Sequence, residues 1–283
     1  MAPQEIFSVL LLCTLVTLIQ SDPVIITKTI EELAGLSEDG NQLNQTTTTR
    51  RPMNNGSRIF GGAQANILNF PYQVSMRHNG GHRCGGSIIS SRFVLTAAHC
   101  IIPGFPINQV SVRAGTTSMN GGNAVVRNAI RIFVHPSWNS DTLAYDVALI
   151  EISTPFIWTS TVRTIGLPPY EYIVPSNTMA LISGWGQTES GQAPSELLYA
   201  RIPMLSAQQC NTRWSFSESM VCAGTGSPSV CFGDSGGPLV ANGVQVGINS
   251  FVIGGCNSGY PNGFARVAQW NIINWIHARI NSA

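Results

Sequence analysis

The stretch CFGDSGGPLV, residues 231–240, sets one serine hydroxyl between an aspartate and a pair of glycines. Such a hydroxyl attacks a carbonyl only when a neighbouring base takes its proton, and acyl transfer also needs N–H donors aimed at the oxyanion that forms. Gly233, Gly236 and Gly237 permit turns that other residues resist, so the amides of Gly233 and Ser235 can converge on one point. The base must come from five histidines, and His99 stands out. In VLTAAHC an apolar strand runs into small residues and then Cys100, an anchor beside the imidazole. A catalytic imidazole needs a shielded carboxylate to fix its tautomer. Asp146, in YDVALIEI, leads directly into the apolar run Val147–Ile150 and is the candidate, whereas Asp141 sits among Asn139, Ser140 and Thr142 as a loop residue.

The elements that must position these groups are strands. VSVRAG alternates Val110 and Val112 with Ser111 and Arg113, and AIRIFVH alternates Ile130, Ile132 and Val134 with Arg131 and Phe133. Many short strands punctuated by glycine and proline, without helical patterns between them, indicate an all-β barrel or sandwich. Only the tail is helical in pattern, with Ile272, Ile273, Ile276 and Ile280 on one face and Asn271, Asn274 and Arg279 away from it. That stripe reads as a docking face for the protein's own core.

A chain of 283 residues, 43% hydrophobic and 10% charged, can bury a sizeable core. Its formal net charge of +1 offers no field for nucleic acid or an anionic membrane. The apolar run Ile6–Ile19 is too short to span a bilayer comfortably and precedes the small residue Ser21, the pattern of a secretory signal over residues 1–21. Residues 22–58 are polar and rich in Thr and Asn, with glycosylation sequons at Asn44 and Asn55. Cys13 would leave with the signal; the six remaining cysteines suit disulfides in a secreted protein, their pairing left open by sequence.

Taken together and in this order, TAAHC, DVALI and GDSGGP resemble the chymotrypsin-like (S1) serine endopeptidases, from Ile59 to the end of the chain. The resemblance implies two six-stranded antiparallel barrels with a C-terminal helix, and a cleft between the barrels holding the site. It makes Ser235 the nucleophile, His99 the general base and acid, Asp146 the orienting carboxylate, and the Gly233 and Ser235 amides the oxyanion hole. It pairs Cys84 with Cys100, Cys210 with Cys222 and Cys231 with Cys256. It divides the chain into signal peptide, activation propeptide 22–58 and protease domain 59–283, with cleavage between Arg58 and Ile59 freeing an ammonium that inserts beside Asp234. His82 resembles the position that can hold that aspartate before cleavage.

By the same likeness Ser229 forms the floor of the specificity pocket, where a trypsin-like enzyme would carry aspartate. Without that charge a cationic substrate group would be costly to bury, so apolar side chains are expected before the scissile bond, in a chymotrypsin-like or elastase-like manner. Ser250, Phe251 and Val252 should run along the strand that pairs with extended substrate, and Asn262 should lie near the pocket. The combination is similar to arthropod chymotrypsin-like and elastase-like proteases. The loop 115–128 has no acidic residue, so no calcium or other metal is expected, and no cofactor. Expected partners are protein and peptide substrates, an activating protease and protein inhibitors; the protein is expected to be a secreted monomer. The competing class is a non-catalytic, protease-like binding or regulatory protein.

Overall fold

The computed structural model describes residues 61–101, 105–212 and 215–282. The expected signal segment and propeptide, with the activation bond Arg58–Ile59, lie outside the described residues.

The alternating runs form strands. β2 (Gln73–His78), β3 (Gly81–Ile88), β4 (Phe93–Thr96), β5 (Val110–Ala114), β6 (Val125–Val134) and β7 (Ala148–Ile152) close into an antiparallel barrel in the order β2-β3-β4-β7-β6-β5. In β5, Val110, Val112 and Ala114 point into the barrel while Ser111 and Arg113 are only partly covered, as a period of two requires. Val74, Met76, Val94, Leu95, Leu149 and Ile150 complete this core, all fully buried. Closure leaves no sheet edge open in this half.

The second half uses β8 (Met179–Gly184), β9 (Leu198–Pro203), β10 (Met220–Thr225), β11 (Pro238–Ala241), β12 (Val244–Val252) and β13 (Pro261–Arg266). With the two-residue strand β1 (Ala63–Gln64) added at its edge, it is a seven-stranded antiparallel sheet, β1-β9-β8-β11-β12-β13-β10. Its own core gathers Ile182, Ile202, Leu239 and Phe264. The short helix α1 (Ala207–Cys210) carries a capping box between Ser206 and Gln209. The C-terminal helix α2 (Trp270–Asn281) is capped by the Gln269 side chain and buries Ile272, Ile273 and Ile276 against the first core, with Ile280 partly covered.

The alternation read over residues 129–134 is broken. Ile130 and Val134 are 46% and 38% exposed, and Phe133 instead packs against the core. The register between β6 and β7 shifts between Ala129 and Arg131, and such a bulge turns the residues after it onto the other face.

The three disulfides pair as the family resemblance implies: Cys84–Cys100, Cys210–Cys222 and Cys231–Cys256.

Candidate active site

His99 lies in a single 3-10 turn, Ala98–Cys100, that follows β4, and the Cys84–Cys100 bridge ties this turn back to β3. Its backbone N–H donates to Asp146 Oδ1 at 2.9 Å and its Nδ1 meets Oδ2 at 2.7 Å. An ionised carboxylate can only accept, so this contact assigns the ring proton to Nδ1 and leaves Nε2 as an acceptor. Asp146 is fully buried at the entry to β7. It occupies the centre of a three-residue turn in which Val147 N–H donates to the Tyr145 carbonyl at 2.7 Å, with Tyr145 itself held at φ +55°.

Ser250, expected along the strand that pairs with substrate, has a side-chain partner of its own. Its hydroxyl donates to Asp146 Oδ2 at 2.5 Å, a further bond to the carboxylate from the opposite sheet. The sequence carried no signal for this: a serine in a strand has no mark that distinguishes a carboxylate's partner from a wall residue.

Ser235 and His99 line one cavity of about 330 Å³, together with Cys231, Phe232, Asn249, Ser250, Phe251 and Val252. No hydrogen bond joins the Ser235 hydroxyl to the imidazole among the described residues. Such bonds often tighten only once substrate is present.

The turn around Ser235 is fixed by its carbonyls. Gly233 takes φ +99° and Gly236 φ +78°, where a side chain would be strained. The Phe232 carbonyl accepts from Gln187 N–H at 2.8 Å and the Asp234 carbonyl from Gly237 N–H at 2.9 Å. A trans peptide points its N–H opposite its carbonyl, so the two anchors aim the Gly233 and Ser235 amides away from them. Neither amide has an acceptor among the described residues. Two unspent donors beside a serine hydroxyl are what a developing oxyanion needs.

Asp234 is 1% exposed and accepts from Gly186 N–H at 2.7 Å and Cys231 N–H at 2.9 Å. Burial pushes its pKa up to about 6, against the opposing pull of those two bonds. A Cβ on Gly184 or Gly186 would overlap the Asp234 carboxylate, so the GWG of residues 184–186 is a seat for this side chain. Two glycines spaced by one residue are the sequence mark of such a close approach.

His82 does not meet the Asp234 carboxylate. Its Nε2 contacts the Gly233 carbonyl at 3.0 Å and its Nδ1 the Ser75 hydroxyl at 2.8 Å. A carbonyl only accepts, so Nε2 donates; burial holds the ring below the usual histidine range, in the neutral form this pattern requires.

Ser229 and Asn262 come together but stand outside the cavity lining. Each is 2% exposed. Ser229 Oγ lies 2.8 Å from Asn262 Oδ1, and Asn262 Nδ2 donates to the Ala223 carbonyl at 3.0 Å. The two side chains are thus engaged with each other and with neighbouring backbone. Phe251 and Val252 do line the cavity, with Phe251 against Phe216 at 5.6 Å between centroids.

Cys84, His99 and Cys100 could in principle surround a metal, lying within 4.8 Å of one another. Both sulfurs are joined in a disulfide, which removes the thiolates such a site would use. No described helix is long and apolar enough to cross a membrane.

A buried carboxylate, an imidazole fixed in one tautomer, a serine on the same cavity and two free amides on two antiparallel sheets define a serine hydrolase of the chymotrypsin-like fold. Residues 59–276 match the Trypsin family model, and the chain belongs to that family of serine endopeptidases. It is 36% identical to trypsin alpha of Drosophila melanogaster over 233 residues, covering 80% of this chain and 88% of the relative. It is also 36% identical to serine protease SP24D of Anopheles gambiae over 247 residues, covering 85% and 88% respectively. A third relative, trypsin delta of Drosophila melanogaster, is 36% identical over 228 residues, covering 77% and 88%.

Proposed function

We propose that the protein is a secreted zymogen, activated by an upstream protease that cuts between Arg58 and Ile59, and that it hydrolyses peptide bonds with Ser235, His99 and Asp146. The observation that carries this is the Asp146–His99 pair opening on the cavity that also holds Ser235 and the unbonded amides of Gly233 and Ser235. Nε2 of His99 takes the hydroxyl proton as Ser235 Oγ adds to the substrate carbonyl. The oxyanion falls between the two amides, and Asp146 stabilises the imidazolium. The imidazolium then protonates the leaving amine, and water repeats the sequence on the acyl-enzyme. The freed Ile59 ammonium supplies the cation that buried Asp234 calls for, and fixes the turn that carries both amides.

Two of the three relatives above carry the name trypsin, yet position 229 here is serine, with no carboxylate to receive lysine or arginine. We therefore assign uncharged residues to the position before the cut, in the chymotrypsin-like or elastase-like class, with protein inhibitors of such enzymes as further partners. The test is labelling by an organophosphonate serine probe and cleavage of a peptide library, before and after cleavage at Arg58. Both should appear on cleavage, and Ser235→Ala should abolish the label and lower turnover about 10⁶-fold. Turnover that survived Ser235→Ala, or a strong preference for lysine or arginine, would overturn the reading.

A further inference from the structure

The cavity beside Ser235 contains a polar group for which the reaction has no use. Asn249, in β12, is 5% exposed and lines the cavity, and its carboxamide makes no hydrogen bond among the described residues. Its backbone is fully engaged, the N–H donating to Gly237 and the carbonyl accepting from Gly236 at 2.8 and 2.7 Å. The neighbouring polar side chain of this wall, Ser250, is spent on Asp146. A carboxamide offers two donor hydrogens and an acceptor oxygen, and leaving these unpaired when substrate expels water is unfavourable.

Resting on the endopeptidase reading above, we infer that Asn249 is a specificity-determining residue and that the pocket prefers a carboxamide, asparagine or glutamine, before the scissile bond. Amide against amide satisfies one donor and one acceptor on each side at once, whereas a hydroxyl satisfies one and an apolar side chain none. Val252 also lines the cavity, and a branched side chain there suits these flat side chains better than a large ring. A site that hydrogen-bonds a substrate group discriminates strongly against the analogue that lacks it, more than an apolar pocket can discriminate by size.

The experiment uses the full chain cleaved after Arg58 and peptides that differ only before the cut, asparagine against leucine and glutamine against methionine, pairs of similar size. The expected kcat/KM ratios are at least about tenfold in favour of the carboxamides. Asn249→Val should erase or reverse both ratios while keeping the fold, since no hydrogen bond is lost and a β-branched residue suits the strand. A second arm measures binding of peptides ending in glutamine or methionine to the cleaved Ser235→Ala protein by calorimetry, where the glutamine peptide should bind at least about fivefold tighter. Equal ratios in either arm, or ratios that Asn249→Val leaves unchanged, overturn the inference. Turnover persisting in Ser235→Ala would remove the endopeptidase reading instead, and the binding arm would still decide the role of Asn249.

Discussion

The backbone N–H of Gln187 donates to the carbonyl of Phe232 over 2.8 Å, joining the segment after β8 to the peptide that presents the Gly233 amide. Nothing about the Gln187 side chain matters for this, so Gln187→Ala should behave as the parent. Gln187→Pro deletes the donor, and kcat should fall about 10- to 100-fold with KM nearly unchanged, a fraction of what losing a whole oxyanion donor costs. Steady-state kinetics on the cleaved protein check it.

Replacing Gly186 by alanine sets a methyl group against both oxygens of Asp234. The carboxylate must move and take with it the turn anchored by Cys231 N–H. Gly186→Ala should therefore lose most of its activity, while the same change at exposed Gly191, where a Cβ meets nothing within 4 Å, should leave activity intact despite its φ of +73°. The comparison is made by peptide hydrolysis alongside thermal melts.

Asp146→Asn keeps the size of the side chain but presents an amide hydrogen or a weaker acceptor to Nδ1 of His99. The wrong tautomer is then favoured, and kcat should drop about 10⁴-fold. Ser250→Ala removes one hydroxyl bond to Oδ2 and leaves both His99 bonds in place, so its loss should be smaller, about tenfold. Equal losses in the two variants would show that the carboxylate orients the imidazole only while Ser250 holds it.

Asp234 should make the uncleaved chain sensitive to pH. Its folded pKa, about 6, lies above the ordinary aspartate value of 3.8, so between those values the folded state holds a proton that the unfolded state has released. Stability is highest below about pH 4 on this account and is lost as the pH rises towards 6, by an amount of order 3 kcal/mol. Melts of the uncleaved chain from pH 4 to 7 should show that decline, and Asp234→Asn should flatten it. Cleavage at Arg58 should flatten it too, because an ammonium beside the carboxylate lowers its pKa again.

The Cys84–Cys100 bridge closes a separation of 16 residues that begins in β3 and ends beside His99. Changing both cysteines to alanine should lower stability by about 3 kcal/mol on the chain-entropy estimate. Denaturant unfolding measures this.

Much of the site was legible because its chemistry is written in short words. TAAHC, DVALI and GDSGGP announce an imidazole, a carboxylate about to be buried and a serine in a glycine turn, and the structure brings His99 and Asp146 together at 2.7 Å. The helical stripe of α2 was equally readable, since Ile272, Ile273 and Ile276 repeat at helical spacing. What escaped depends on register and packing. The bulge near Ile130 reverses the faces of β6 with no composition cue, and Ser250 differs from other strand serines only by what stands opposite it. Likewise Ser229 was read as the floor of the specificity pocket, but its bond to Asn262 needs two segments 33 residues apart to meet.

His99 and Asp146 belong to the half of the chain that forms the closed barrel, while Ser235 and its flanking amides belong to the seven-stranded half. A nascent chain that has completed only its first half thus holds a proton acceptor with nothing to deprotonate. On the proposed mechanism hydrolysis then needs both halves folded together, so a truncated product would carry only part of the machinery.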